Sequence, residues 1–354
     1  MLSILDVFPF YYRCFSLSKR NVGVGVAGLG RIGRLHAEIF SYNVKGANLV
    51  AVMDVVEDLA RSVADKLNVK WYVDYSKLLK DPNVEAVVIA TPTFLHKDMI
   101  IQALEAGKHV FSEKPLTTTV EEAKEVVRCV EKAGVKLQVG YMRRFDYAYR
   151  DAKERISKGE IGRPLLFLGI ARDPGAPPGW AADPSKSGGI FLDMLSHDFD
   201  MARWLIGSEV TQVHVIGGAF LYDEIMEKGD LDVVSINFKF ENRCLGMIHG
   251  SRKSVFGYDL RTEIMGSDGT IYVGAIYDPF MALGTKTGVR YGGIQWFQKR
   301  FYDAYVEEDN WFIRSIIEDK RPLVTEIDGL RVVQIAEACW RSFKEGRPVD
   351  VELR

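Results

Sequence analysis

Asp193, His197 and Lys114 combine residue types and spacing that can move a proton beside a cation. Asp193 and His197 stand four apart in the apolar-periodic stretch 191–206, so a helix stacks one a turn above the other. There the carboxylate can orient the imidazole or stabilise its protonated form, which suits a general base. The same spacing also serves an ordinary polar pair on a helix, or a capped start after Gly188-Gly189. Lys114 lies in the turn Glu113-Lys114-Pro115, after the apolar run His109-Val110-Phe111. Ligands of parallel sheets bind at such strand ends, although most lysines are only solvated. Arg143-Arg144 follows a later strand, where a cation can hold a hydroxylated substrate or form a surface pair. Tyr258, in Gly257-Tyr258-Asp259, can hydrogen-bond a substrate or fill an interface. The other histidines are scattered with no HExxH-type spacing, so no metal is expected.

A second constellation points to a cofactor. The run Val24-Gly25-Val26-Ala27 leads into Gly28-Leu29-Gly30-Arg31-Ile32-Gly33 and then into a helical pattern. In such a loop the first glycine makes the tight turn, the second admits a pyrophosphate, and the third lets helix and strand pack closely. The helix N-terminus then faces the phosphates. A second apolar run ends at Asp54, at the distance expected for an acid on the adenosine ribose, and Val55 and Val56 offer no cation for a 2′-phosphate. This predicts NAD rather than NADP, although Asp also suits a helix N-cap.

The elements that must position these residues follow from periodicity. Helix and strand patterns alternate from Val22 to about Tyr141, which predicts a doubly wound parallel Rossmann sheet. Beyond it, apolar Val234, Ile236, Phe238 and Phe240 alternate with Ser235, Asn237 and Lys239, as in an antiparallel sheet with two unlike faces. The second half therefore reads as α+β with a mainly antiparallel, open-faced sheet, followed by helices near 309–318 and 329–344. The face bearing Ile236 and Phe238 needs a cover, and helices of one chain need not supply both faces, so a homo-oligomer is expected. We expect a cofactor domain over 21–141 and a substrate and assembly domain over 142–354. Residues 1–20 form an apolar extension outside the fold, without the basic start or cleavage site of a signal peptide.

Composition excludes several classes. The 354 residues are 47% hydrophobic and 27% charged, with a net charge of −2 and no basic run that favours nucleic acid. No membrane span is expected. Cys14, Cys129, Cys244 and Cys339 are far apart, which fits a reducing cytoplasm.

Taken together, Gly28 to Gly33, Glu113-Lys114-Pro115 and Asp193-Met194-Leu195-Ser196-His197 resemble the Gfo/Idh/MocA oxidoreductases, from about Asn21 to the C-terminus. Gly140 to Asp146, Ala171-Arg172-Asp173-Pro174, Gly188 to Asp193, His197 to Trp204 and Gly257-Tyr258-Asp259 resemble the inositol-oxidising members in particular. The resemblance implies that Lys114 binds and polarises the reacting hydroxyl and that His197 takes its proton. Asp193 would assist that pair or hold an adjacent hydroxyl, and Arg144, Asp173 and Tyr258 would contact the remaining hydroxyls, with His197 also touching substrate. NAD contacts are implied at Gly28, Gly30, Arg31, Ile32, Gly33, Asp54, Thr91, Glu113 and Lys114. The implied reaction is oxidation of a secondary hydroxyl of a cyclitol, myo-inositol to 2-keto-inositol, or of a related sugar, in a homotetramer or dimer. Another polyol or sugar dehydrogenase of the family is a second reading. A non-catalytic NAD-sensing regulator is a third, because fold does not fix function.

Overall fold

The computed structural model describes residues 20–177, 179–274, 282–294 and 296–353. Its first half runs β1 (Val22–Ala27), α1 (Arg31–Tyr42), β2 (Ala47–Met53), α2 (Glu57–Leu67), β3 (Lys70–Tyr72), α3 (Tyr75–Lys80), β4 (Ala86–Ile89), α4 (His96–Glu105), β5 (His109–Glu113), α5 (Val120–Ala133) and β6 (Leu137–Gly140). The strands form one parallel sheet in the order β3-β2-β1-β4-β5-β6. β1 and β4 are buried along their whole length, which is why they read as unbroken apolar runs. Strand order reverses between β1 and β4, so the crevice opens at their C-terminal ends. Gly28, Thr91 and Lys114 leave the sheet along that edge, and Tyr141 follows β6 there.

The second half runs α6 (Tyr147–Ser157), β7 (Pro164–Arg172), α7 (Pro184–Ser187), α8 (Ser196–Ile206), β8 (Val210–Gly218), α9 (Asp223–Glu227), β9 (Val233–Phe240), β10 (Leu245–Ser251), β11 (Asp259–Gly266) and β12 (Thr270–Val273). A hairpin of β13 (Ala282–Thr285) and β14 (Gly288–Tyr291), α10 (Phe297–Ile317), α11 (Glu326–Glu345) and β15 (Val349–Asp350) complete it. The second sheet has the order β12-β11-β7-β10-β9-β8-β15 and is antiparallel except for the parallel pair β7 and β10. That exception positions a site. Arg172 at the end of β7 is paired with Ser251 at the end of β10 and with Asp259 at the start of β11. Asp173, Arg252 and Tyr258 therefore emerge side by side.

The alternation along β9 is borne out, but its apolar face is already covered. Ile236 and Phe238 are buried within the chain, and Phe199 of α8 meets Phe238 edge-on at 5.9 Å. The uncovered face is the opposite one, where Met247, Leu245, Met265 and Tyr272 are exposed. Helices of the same chain thus supply the cover that Ile236 and Phe238 need, and they leave the other face bare.

The C-terminal helices tie the halves together. α10 packs on α1, while α11 packs on α5, α8 and β8. Of the expected extension 1–20, only Arg20 is described, and its guanidinium donates to Glu85 at 2.6 Å; residues 1–19 lie outside the described residues. No helix among the described residues is long and apolar enough to cross a membrane.

Candidate active site

The glycine turn has the shape the cofactor reading requires. Gly28 has φ +86°, and a Cβ there would meet the Ala90 carbonyl oxygen at 2.7 Å. A Cβ on Gly33 would lie 1.7 Å from the Gly28 oxygen, so α1 packs as close to the loop as a backbone can. Gly30 faces open space. It also caps α1 with no side-chain hydrogen bond, which leaves the first helical N–H groups available to an anion. Asp54 supports the same turn. One carboxylate oxygen accepts from Leu29 N–H at 2.7 Å and the other from Val56 N–H at 2.9 Å. The acid expected on the ribose thus also fixes the phosphate loop. Thr91 lies against the turn, its methyl 2.9 Å from where a Gly28 Cβ would be. Exposed Arg31 lays its guanidinium over the Trp296 ring at 4.9 Å, and Ile32 is half-buried beside it. These residues fit a dinucleotide.

Glu113 turns inward instead. Its carboxylate meets His36 Nε2 at 3.0 Å and accepts from the Lys114 N–H at 3.0 Å. The other His36 nitrogen lies 2.9 Å from Asp309. Burial alone would lower the pKa of His36, but the two carboxylates outweigh it and raise it well above 6.5. Glu113 is thus an anchor of the lysine turn, and the expected cofactor contact is not made by a free carboxylate. His36 sits on the buried stripe of α1 with Gly33, Ala37 and Phe40. A histidine on an apolar stripe was the signal for this cluster, and the sequence reading passed over it.

The residues expected to transfer a proton meet differently from the expected pair. Residues 190–194 form a π-helical turn, and α8 begins only at Ser196. The single helix predicted over 191–206 is broken there. Asp193 consequently does not hydrogen-bond His197. Its carboxylate accepts from Arg252 at 3.0 Å, and its backbone carbonyl accepts from the Lys114 ammonium at 2.5 Å. His197 is buried with Nδ1 unpartnered, edge-on to Tyr141 at 5.7 Å. Burial, then the cations of Arg143 and Lys114, lower its pKa well below 6.5, so the imidazole is neutral at pH 7. A neutral imidazole beside an ammonium can accept a proton while the ammonium steadies the oxygen it leaves.

Asp173 belongs to the same place. Burial and the charge of Asp193 raise its carboxyl to about 6, against the opposing pull of Arg252, Lys114 and Arg143. Tyr258 is buried and accepts from Arg143 at 3.4 Å, and Asp173 is among the charges acting on its hydroxyl.

Arg144 is not part of the site. Its guanidinium is bidentate on Asp200 at 2.9 and 2.6 Å, and it donates to Asp328 at 2.8 Å and to the Leu323 carbonyl at 3.3 Å. Its expected contact with substrate is corrected to a structural clamp between α8 and α11. Arg143 has the better position, with Nη1 2.9 Å from buried Asp198. Sequence reasoning missed Arg252, a single cation after a strand whose partners are distant in the chain.

Known proteins resemble this chain over nearly its whole length. The family model described as oxidoreductase family, NAD-binding Rossmann fold matches residues 22–141, and the GFO/IDH/MocA C-terminal domain matches 149–272. The chain is 41% identical to a scyllo-inositol 2-dehydrogenase (NAD(+)) of Bacillus subtilis, covering 95% of this chain and 98% of that one. It is 38% identical to a myo-inositol 2-dehydrogenase of Thermotoga maritima, covering 93% and 98%. Among solved structures, it resembles scyllo-inositol dehydrogenase from Lactobacillus casei with bound NAD(H) and scyllo-inositol, with a TM-score of 0.88, 31% identity and coverage of 94% and 99%. With both domain models matched in order over a glycine cradle and a lysine–histidine cleft, the chain belongs to the Gfo/Idh/MocA family of oxidoreductases.

Proposed function

We propose that this protein catalyses NAD-dependent oxidation of a secondary hydroxyl on a cyclitol, converting an inositol to its 2-keto form. The observation that carries this reading is the Lys114 ammonium acting on a neutral His197 whose Nδ1 has no partner, along the crevice edge where the glycine turn opens. The names of the inositol-oxidising relatives support the substrate class. NAD in the cradle supplies the hydride acceptor. His197 takes the hydroxyl proton as hydride leaves the same carbon, and the carbon–oxygen double bond forms. The Lys114 ammonium stabilises charge developing on that oxygen, an effect that needs no reorganisation because the Asp193 carbonyl already holds it. The cations that depress His197 then favour release of the captured proton. Asp173 and Tyr258 offer an acceptor and a hydroxyl to the other substrate oxygens. Asp54 opposes a 2′-phosphate and favours NAD.

The expected division, cofactor binding in 21–141 and substrate binding and assembly in 142–354, belongs to this reading. So does a homo-oligomer, tetramer or dimer, supported by the exposed apolar face around Met247. A cytoplasmic setting is supported by the widely spaced cysteines. Reduction of NAD with myo- and scyllo-inositol, followed at the nicotinamide absorbance, is the test. Protein that binds NAD but reduces it with no cyclitol, polyol or aldose would leave the sensing function as the better reading.

A further inference from the structure

Arg252 is the most deeply buried cation near the cleft, and the reaction described above does not use it. Its side chain is 1% exposed. Nη1 donates to Asp193 Oδ2 at 3.0 Å and Nη2 to Asp230 Oδ2 at 3.0 Å. The other Asp230 oxygen accepts from Ile190 N–H at 3.0 Å. Ile190 and Asp193 belong to the π-helical turn that interrupts the helix before His197. The two carboxylates and the guanidinium therefore grip that turn near both ends. Between these grips the Asp193 carbonyl receives the Lys114 ammonium.

The turn needs such a grip. A π-helical turn is less favourable than continued α-helix and persists where surrounding contacts determine it. In an α-helix running from Phe191, Asp193 and His197 would stack on one face and the Lys114 contact would be lost. Arg252 also stands among like charges. Asp193 and Asp173 repel each other, while Arg252, Lys114 and Arg143 oppose that repulsion. Only Arg252 among those three cations hydrogen-bonds one of the two carboxylates through its side chain.

We propose that Arg252 is a positioning residue for the oxidation: by bridging Asp230 to Asp193 it sets the turn that holds the Lys114 ammonium, and it places a cation against the acidic groups beside the substrate. The inference rests on the dehydrogenase reading of this site. Asp230 is the remote end of the device, because its side chain is fully buried and joins Arg252 to the start of the turn.

The test uses the full chain with NAD and an inositol, comparing wild type with Arg252→Gln, Arg252→Lys and Asp230→Asn between about pH 5 and pH 9. A wild type without turnover would refute the dehydrogenase reading itself, and the inference with it. Given turnover, Arg252→Gln is expected to lower kcat by about 10²-fold, the scale of losing one organised catalytic group. Cofactor affinity, read from the fluorescence of bound NADH, is expected to stay within about two-fold, because the clamp lies outside the cradle. The acid limb of kcat/KM is expected to move to higher pH, since Asp173 loses a neighbouring cation while Asp193, Lys114 and Arg143 remain. Arg252→Lys restores part of kcat by keeping the charge without the fork. Asp230→Asn moves kcat in the same direction by a smaller factor. A merely structural arginine would lower thermal stability and leave the limb in place. Unmoved pH profiles and near-normal kcat in Arg252→Gln would overturn the proposal. If that variant does not fold, unmoved profiles in both Arg252→Lys and Asp230→Asn would overturn it equally.

Discussion

At the scale of single residues, the site separates groups that touch the reaction from groups that hold them. His197→Ala and Lys114→Ala should each lower kcat by about 10² to 10⁴-fold. Neither should change NAD affinity much, since the cradle is built by β1, α1 and Asp54. Isothermal titration with NAD beside steady-state kinetics checks this, and a His197→Ala enzyme with near-normal kcat would remove the histidine as base. Asp173 carries a different expectation. Its carboxyl is raised to about 6, so the fold disfavours its ionised form, and stability is lost as pH rises from the ordinary 3.8 through that value. Asp173→Asn should therefore gain on the order of 1 kcal/mol of stability at pH 7 while raising KM for the inositol. Thermal melts and kinetics on one preparation test both halves, and a stability loss would contradict the charge argument. Asp54→Asn should narrow the preference for NAD over NADP, because one repulsive charge is gone while a side-chain oxygen can still accept from the Leu29 amide. A wild type that prefers NADP would show that Asp54 does not select the cofactor.

At the scale of elements, the cluster of His36 on α1, Glu113 at the end of β5 and Asp309 on α10 joins three elements that are remote in sequence. Glu308 lies next to it, its buried carboxylate without a hydrogen-bond partner, and burial followed by the charges of Glu113 and Asp309 raises its pKa well above the usual range. His36 is also raised, so its contribution to stability is complete below pH 6.5 and is lost as pH rises through its folded value. The raised carboxyls of Glu308 and Asp309 act with the same sign. We expect melting temperature to fall on the alkaline side, and His36→Gln to cost about 3–5 kcal/mol, as for breaking a buried charge pair. The alkaline slope should be shallower in the variant. Parallel slopes in wild type and variant would exclude His36 as the titrating group. The π-helical turn before α8 shows the same kind of dependence on distant partners: its local sequence reads as helix, and contacts from Arg252 and Asp230 decide otherwise.

At the scale of the whole molecule, the second sheet keeps one face for itself and offers the other. The buried face packs on α8 and α11, while the outer face exposes Leu245, Met247, Met265 and Tyr272. Apolar surface of this kind is a recognised mark of association. Met247→Asp, on the outer face of β10, should shift the proposed oligomer toward single chains without unfolding them. Sedimentation equilibrium reads this directly, and a wild-type mass near 39.9 kDa at micromolar concentration would rule out the oligomer.

Much of this organisation is local and was legible before any coordinates. Glycines at 28 and 33 have steric reasons to be glycine, and the structure shows those reasons. Asp54 follows a strand because strand length and helix length fix the spacing between the turn and the acid. The alternation from Val233 to Phe240 is a property of the pleat, and β9 spans those residues. Periodicity could not say which sheet face is left for another chain, because that depends on where α8 and α11 fold back. Nor could it find the parallel β7–β10 pair, which sets Asp173 beside Arg252 through strand order rather than chain order. α10 begins at Phe297, well before the predicted start, which was illegible because its first turns lack a capping signal and include non-helical backbone at Phe301. Charge partnerships were least legible. Arg144 and Arg143 are neighbours in sequence, yet one closes on Asp200 and Asp328 and the other faces Asp198 and Tyr258. Residue type and spacing determined the chemistry the chain carries; burial and partners brought from distant segments decided which groups are free to use it, because a side chain's charge state is set by what folds against it.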